Sequence, residues 1–333
     1  MRKYINAADI YSIMKHTLKI TLIIIGIFFL SQIIGLFIVD KYIDYAQTTP
    51  EARAAGNITW QQLPYSIERP EVDESNSYLF IIAAIVFGTV ILLVLVKFKV
   101  YRLWKFWYLI SVLLCLSIAF AAFISQTSAF FLGLFFALIK IFKPNIFVHN
   151  FTELFIYGGL AAIFVPIINL YSVVILLILI SGYDFWAVYK SKHMVQLAKF
   201  QTDTKMFAGL FIPYELSKST ITSVPSSSNL KIGRSNFAKI NKQTKAQQSL
   251  KTKSVIQQSS RNAILGGGDV GFPLIFAGVI MKSFGMQKAF VIPFVTAIAL
   301  LLLLLYSKKD KFYPAMPALT LGCFIGYILI LFI

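Results

Sequence analysis

The chain has 333 residues, of which 58% are hydrophobic and only 14% are charged. Soluble domains are about 45–50% apolar and about 25% charged, so a soluble protein of this composition would expose large apolar patches to water. The composition therefore excludes a soluble domain and indicates a polytopic membrane protein. The net charge of +17 does not indicate a nucleic-acid partner, because the basic residues lie between apolar runs, where they orient a membrane protein.

Nine apolar runs have lengths that suit a hydrocarbon core about 30 Å thick. We therefore predict an all-α, polytopic membrane protein with nine transmembrane helices. In chain order the runs are 18–39, 78–96, 106–124, 129–142, 152–167, 170–189, 264–284, 289–306 and 315–333. The first run is too long for the core of a signal peptide, and no Ala-x-Ala cleavage site follows it, so we expect a retained helix.

The runs divide the chain into three parts. Residues 1–189 are predicted to form a six-helix part and residues 263–333 a three-helix part. Between them, residues 190–262 carry thirteen Lys or Arg residues and are rich in Ser, Gln and Asn, which is typical of a flexible solvated loop. Within this loop, residues 206–216 are more apolar. They are compatible with a segment that lies on the membrane or covers a site, and equally with a loosely attached turn.

The distribution of basic residues predicts the orientation. With nine spans, the amino terminus and four later basic segments all fall on one side, and the acidic loop 40–77 falls on the other. By the positive-inside rule the basic side is cytoplasmic. We therefore predict an integral multi-pass protein of the cell membrane with a cytoplasmic amino terminus and an extracytoplasmic carboxyl terminus.

Two carboxylates are predicted to lie inside the membrane at a similar depth. Asp184 lies six residues before Lys190 in the sixth span, and Asp269 lies eight residues after Arg261 in the seventh. With a rise of about 1.5 Å per residue, they are about 9 Å and about 12 Å from the cytoplasmic end. Because these spans run in opposite directions, the two side chains can meet. The other acidic residues near apolar runs, Asp40 and Glu153, are predicted to lie at span ends.

A carboxyl pair in a low dielectric shares one proton, because both groups do not ionise easily together. Such a pair activates a water molecule: the ionised carboxylate takes a proton from the water, and the protonated partner polarises a scissile carbonyl. No Ser–His or Cys–His pairing competes within the spans, and no metal site or cofactor is expected.

Glycines surround the second carboxylate. They are Gly266, Gly267, Gly268 and Gly271, and Pro273 follows. We expect irregular backbone there, with room for an extended substrate, although glycines also serve close helix packing. Pro317 lies about 9 Å into the ninth span at a helical rise, where depth alone indicates only a helix-start proline.

Three motifs resemble those of the GxGD intramembrane aspartyl proteases, the family of presenilin, signal peptide peptidase and their archaeal relatives. Tyr183-Asp184 resembles the Tyr-Asp motif of the sixth span, and Gly266-Gly267-Gly268-Asp269 resembles the Gly-x-Gly-Asp motif of the seventh. Pro317-Ala318-Leu319 matches the Pro-Ala-Leu motif of the ninth. The run 189–194 is most similar to archaeal presenilin homologues. The motifs occur in the family's order and on the corresponding predicted spans.

This resemblance implies an endopeptidase that cleaves single-pass membrane proteins within the bilayer. It implies Asp184 and Asp269 as catalytic residues and no cofactor. It also implies contact with substrate for six further residues. They are Tyr183, Gly266, Gly268, Pro317, Ala318 and Leu319. Since the archaeal members act without partners, we expect a monomer or homo-oligomer.

Three other hypotheses about function remain open from the residues alone. An ion- or proton-coupled transporter also carries intramembrane carboxylates, but it would be expected to show interrupted spans in both halves, and glycine interruption occurs only near Asp269. A prepilin-type peptidase shares Gly-x-Gly-Asp but fits the Pro-Ala-Leu element less well. A structural membrane protein with a hydrogen-bonded Asp pair is the third.

Overall fold

The computed structural model describes six stretches of the chain: residues 18–49, 58–98, 100–191, 207–213, 262–307 and 313–332. Nine long helices lie in these stretches, in agreement with the predicted all-helical fold. They are α1 (Leu18–Lys41), α2 (Ser77–Phe98), α3 (Tyr101–Ala121), α4 (Gln126–Phe142), α5 (Ile146–Phe164), α6 (Leu170–Trp186), α7 (Gly267–Phe284), α8 (Val291–Tyr306) and α9 (Met316–Phe332). Seven of these helices are long and apolar enough to cross a membrane, and α4 and α9 are shorter apolar helices.

Shorter elements join or flank the helices. They are 3₁₀ turns at Pro64–Ser66 and Val165–Ile167, a π-helical turn at Ala187–Ser191, a single helical turn at Met286–Ala289, and two strands, β1 (Gly209–Pro213) and β2 (Asn262–Gly266). Several sequence predictions fall outside the described residues. They concern the basic amino-terminal segment, most of the loop 190–262 and the lysine-rich turn 308–311.

The chain divides into two compact units. The first comprises Met1–Phe211 and Ile264–Ile333, and it contains all nine helices and the residues discussed below. The second comprises Ile212–Ala263, of which the structure describes only the end of β1 and the start of β2. The division into residues 1–189, 190–262 and 263–333 stays a prediction.

Side-chain caps decide where several helices begin. The side chain of Asn145 accepts the Phe147 N–H, so α5 begins at Ile146 rather than near residue 152 as the apolar run suggested. This places Glu153 two turns inside the helix, and the prediction that it lies at a span end is wrong. Helix α3 also extends back beyond the predicted start at residue 106, to Tyr101, but no side-chain cap marks its first turn.

The most buried helix is α7, and small residues bring its neighbours close. Two-thirds of the span of α7 is buried (67%), against only 11% of the span of α2, so α7 is central and α2 peripheral. A Cβ added to Gly158 of α5 would lie 3.1 Å from the Gly35 Cα of α1. Close backbone approach of this kind is a common way to pack helices in membranes. The core therefore surrounds α7 from Val270 onward, whereas its first turn, residues 267–269, is half-buried or exposed.

Strand β2 leads directly into α7, and β1 pairs with it. Gly209, the first residue of β1, lies against the carbonyl of Leu265 near the end of β2, so the strands run antiparallel. The start of β1 is tied to helices, since the Tyr108 hydroxyl donates to the Phe207 carbonyl at 3.0 Å. The Asn150 side chain bonds both the N–H and the carbonyl of Phe211. Residues 207–211 are therefore not a loosely attached turn.

Candidate active site

Asp269 lies in the first turn of α7, immediately after β2. The strand ends at Gly266, the helix begins at Gly267, and Asp269 is the third helical residue. Its carboxyl accepts the backbone N–H of Gly266. A side chain at this position that bonds back to the cap residue satisfies a donor that the helix itself leaves unpaired. The local fold therefore orients this carboxyl through its own backbone.

The backbone around Asp269 differs from the expectation of an irregular segment. Residues 264–266 form a strand rather than part of the span, and a regular helix continues from Gly267 through Pro273. A proline removes the N–H that would pair with the carbonyl four residues earlier, which here is that of Asp269. Neighbouring helices stabilise such a turn. One example is Gln32 of α1, whose Nε2 donates to the Val270 carbonyl at 2.8 Å.

Asp184 lies near the end of α6 and is buried, with 8% of its surface exposed. Its Oδ2 atom accepts the Met316 N–H at 3.2 Å, and the Ala315 N–H also bonds to its carboxyl. These two amides lie at the start of α9. Asp184 thus caps the ninth helix from the sixth, which explains why the Tyr-Asp and Pro-Ala-Leu motifs lie together.

The two predicted catalytic carboxyls lie on helices that pack against each other. Helices α6, α7 and α9 pack against one another, and the hydroxyl groups of Ser181 and Thr320 lie 2.6 Å apart between α6 and α9. Asp184 and Asp269 are close enough to interact electrostatically. Asp269 lies in the first turn of α7, and Asp184 lies beside the first turn of α9. At both positions backbone N–H groups and the helix dipole favour negative charge. Two buried carboxyls that interact in this way do not easily ionise together.

The two motif glycines have different surroundings. A Cβ at Gly266 would lie 3.1 Å from Oδ2 of Asp269, whereas a Cβ at Gly268 would meet only the Phe272 ring, at 3.4 Å. Gly266 is half-buried and Gly268 is exposed. Gly266 therefore leaves room for the carboxyl itself, whereas Gly268 lies on the exposed surface beside the Phe272 ring.

These surroundings predict different effects for two alanine substitutions. We expect Gly266→Ala to lower kcat by about 10-fold to 100-fold, because the methyl group displaces the Asp269 carboxyl by a fraction of an ångström. Gly268→Ala should affect mainly KM, because the new methyl group meets substrate rather than the catalytic group. Steady-state kinetics of the two purified variants test this difference. Equal effects of both substitutions on kcat alone would contradict it.

The remaining predicted substrate contacts differ in exposure. The Tyr183 side chain is exposed, Pro317 and Ala318 are half-buried, and Leu319 is fully buried. Pro317 is the second residue of α9, a position where proline is favoured because its missing N–H would have no helical partner. Leu319 therefore packs inside the protein, while the other three remain open to contact by a substrate.

One polar cluster was missed by the sequence analysis. Lys140 of α4 and Glu153 of α5 form an ion pair that is almost fully buried, and the Tyr157 hydroxyl donates to Glu153. The sequence does contain a signal for this ion pair, because a lysine and a glutamate occur in two neighbouring apolar runs. Glu153 was predicted to lie at a span end, so a buried partner for its charge was not sought.

The described residues contain no group of three or more His, Cys, Asp and Glu side chains that could hold a metal ion. Cys115 and Cys323 are both buried as free thiols. The carboxyl pair is therefore the chemistry-bearing feature that the sequence motifs and the geometry share.

Comparisons with known proteins agree with this architecture. Two solved structures of a presenilin family intramembrane aspartate protease, in space groups C222 and P2, superpose with TM-scores of 0.56 and 0.55. Each is 16% identical to this chain and covers 93% of it, and the chain covers 97% and 96% of theirs. At this identity the likeness concerns the fold. Comparison with curated proteins gives no match.

The sequence profile of the family described as signal-peptide peptidase, presenilin aspartyl protease matches residues 55–333. This range includes eight of the nine helices and all three motifs. Family membership supports an intramembrane aspartyl protease and does not favour a transporter. The chain belongs to the signal-peptide peptidase and presenilin family of aspartyl proteases.

Proposed function

We propose that this protein is an intramembrane aspartyl endopeptidase that hydrolyses peptide bonds within the transmembrane segments of single-pass membrane proteins. The proposal is supported by the electrostatic interaction of Asp184 with Asp269, each of which accepts N–H groups at the start of a helix, inside a chain of this family. The two carboxyls bind one water molecule between them. No cofactor takes part, and the chain acts as a monomer or homo-oligomer.

Hydrolysis proceeds through acid and base roles of the carboxyl pair. The ionised carboxylate takes a proton from the water, whose oxygen attacks the scissile carbonyl carbon while the protonated partner donates a hydrogen bond to the carbonyl oxygen. The tetrahedral intermediate then collapses, the C–N bond breaks, and the leaving nitrogen receives a proton from the pair. Because only one proton is shared, the pair works in one protonation state.

The substrate must unwind locally before it is cut. The amides of a helix are bonded internally and shielded by side chains, so the scissile carbonyl has to leave its helical hydrogen bond. Strand β2 leads directly into Asp269 and offers an extended template beside it. On the other strand, the His149 and Asn150 side chains already bond the Gly209 carbonyl and the Phe211 backbone. An unwound substrate segment that adds to the sheet therefore pairs with β2.

Purified protein in detergent, incubated with a tagged single-span substrate, tests the proposed function. We expect two fragments whose new termini, read by mass spectrometry, fall within the substrate's apolar segment. A transition-state-like inhibitor of aspartyl proteases should block their formation, because it mimics the tetrahedral intermediate. A glycine pair introduced at the cut should raise the rate, because it eases unwinding. Cleavage outside the apolar segment, or cleavage that resists the inhibitor, would contradict the proposal.

The cytoplasmic amino terminus is part of the same proposal, and with it the carboxyl pair lies toward the cytoplasmic side. Glu71 lies in the acidic first loop and is exposed, so a Glu71→Cys variant reports on this orientation. A membrane-impermeant maleimide should label this variant in intact cells. Failure to label before the membrane is permeabilised would reverse the orientation.

A further inference from the structure

A buried ion pair joins α4 to α5 next to the candidate site. Lys140 Nζ lies 2.6 Å from Glu153 Oε1, and each side chain is only 1% exposed. Burying two charges in a membrane protein is costly even when they pair, and such residues in spans usually serve a function. The proposed hydrolysis does not use either of them, so their role needs a separate explanation.

The hydrogen bonds of this pair are complete. Lys140 Nζ also donates to Thr152 Oγ1 at 2.9 Å and to the His149 carbonyl at 3.4 Å, so all three of its donors are used. The second carboxyl oxygen of Glu153 accepts from the Tyr157 hydroxyl. A fully satisfied buried network holds its members in one arrangement. The rotamer of Tyr157 is thereby tied to the ion pair.

Tyr157 links the ion pair to the first turn of α7. A Cβ at Gly267 would lie only 3.1 Å from the Tyr157 hydroxyl oxygen, and a Cβ at Gly271 would lie 3.7 Å from its ring. The hydroxyl is also close enough to Asp269 to interact with it electrostatically. The network therefore contacts the start of the helix that carries a proposed catalytic carboxyl, at two glycines that are each two residues from it.

The same helix α5 also holds this turn through the backbone at the start of β1. His149 Nε2 bonds the Gly209 carbonyl at 2.8 Å, and the Gly267 N–H donates to the Ala208 carbonyl at 3.1 Å. His149 belongs to the network through its own carbonyl, which accepts from Lys140. The start of α7 thus contacts both Tyr157 and a backbone segment that is fastened to α5.

We propose that Lys140, Glu153 and Tyr157 are positioning residues, which hold the first turn of α7 so that the Asp269 carboxyl has the placement that hydrolysis requires. This inference rests on the proposed function, since it assigns these residues a role in the same reaction. Their proposed role is exerted through Asp269 and not on the substrate directly. Their contribution is geometric, and a displacement of about 1 Å in a reacting group can cost about 100-fold in rate.

The test compares two tyrosines in the purified full-length protein. Tyr157→Phe removes the hydroxyl bonded to Glu153, and Tyr42→Phe removes an equally buried hydroxyl that donates to the Ile118 carbonyl at 2.7 Å. Each tyrosine is 4% exposed, so the two substitutions are matched in burial. For Tyr157→Phe we expect kcat to fall by about 10-fold to 100-fold with KM within about twofold. Tyr42→Phe should leave kcat at the wild-type value.

Amide hydrogen exchange provides a readout that needs no cleavage. For Tyr157→Phe we expect faster exchange in peptides that cover residues 207–211 and 264–271 and no change elsewhere in the described helices. Tyr42→Phe should leave these peptides unchanged. Unaltered exchange at these positions in Tyr157→Phe, or a kcat equal to that of Tyr42→Phe, would overturn the proposal.

A double-mutant cycle adds a steric test. Gly267→Ala presses a methyl group against the Tyr157 hydroxyl and should lower kcat, while the combination with Tyr157→Phe should cost less than the sum of both effects. Strict additivity would show that the two sites do not communicate. If wild-type protein gave no cleavage that depends on Asp184 and Asp269, the proposed function would fail, and the exchange measurement would still decide whether the network holds α7.

Discussion

Replacing either Asp184 or Asp269 by asparagine is expected to lower the rate of cleavage by at least about 10³-fold. General acid–base catalysis contributes about 10²–10⁴-fold, and an amide can neither take a proton from water nor supply one. Each substitution removes one of two groups that act on the same water, so either alone disables the reaction.

Both variants should remain folded, because an asparagine keeps an oxygen that accepts hydrogen bonds. At position 184 this oxygen can still accept the Met316 and Ala315 N–H groups, and at position 269 it can still accept the Gly266 N–H. Initial rates, together with thermal unfolding in the same detergent, separate loss of chemistry from loss of structure. Asp40→Asn is the control, since this carboxyl caps nothing in the site and bonds the Tyr45 hydroxyl instead.

Two further results are expected from the same pair. The double variant Asp184→Asn/Asp269→Asn should be no slower than either single variant, because residues that act as a unit are not additive. The dependence of kcat/KM on pH should be bell-shaped, because one carboxyl must be ionised while the other is protonated. Wild-type turnover in either single variant would remove that residue from the mechanism.

Lys140→Met is expected to lower the free energy of unfolding by about 3–5 kcal/mol, the second large effect. The substitution keeps the length and packing of the side chain but leaves Glu153 as a buried carboxylate without its counterion, and an unpaired buried charge is strongly destabilising. Thermal or denaturant unfolding in detergent measures the loss. Lys143→Met, close by in sequence and exposed at the end of α4, should change stability by less than about 0.5 kcal/mol.

The double variant Lys140→Met/Glu153→Gln should recover most of this stability. Glutamine is neutral and nearly the same shape as glutamate, and its amide oxygen can still accept from the Tyr157 hydroxyl. A neutral pair of this kind replaces a buried ion pair at little cost. If the double variant were as unstable as Lys140→Met alone, the loss would come from packing at position 140 and not from the unpaired charge.

The helix count could be predicted from the sequence, and several helix starts could not. Run length against bilayer thickness is a strong signal, since a span needs about 20 apolar residues. The start of α5 is decided instead by Asn145, whose side chain caps a turn that contains polar residues such as His149 and Asn150. A prediction from hydropathy assigns such a turn to a loop, because it treats every side chain as if it were exposed to lipid.

The strand pair could likewise not be predicted from the pattern of apolar residues. Gly266 and Gly267 were expected to open an irregular stretch of a span, but the residues before Gly267 form β2. Strand pairing joins residues more than fifty positions apart, and its register is set by partners such as Asn150 rather than by local preference. A short apolar stretch next to glycines is compatible with either state.

By itself the sequence determined the class of protein, its nine apolar helices and the pair of acids within two of them, because apolar run length and an isolated charge are local properties. The tertiary structure alone decided that Asp184 caps α9, that Asp269 folds back on Gly266, and that Lys140 and Glu153 lie buried behind the first turn of α7. Those features depend on which polar groups meet in a low dielectric. That is settled by the packing of helices distant in the chain, because each buried polar group must find a partner there.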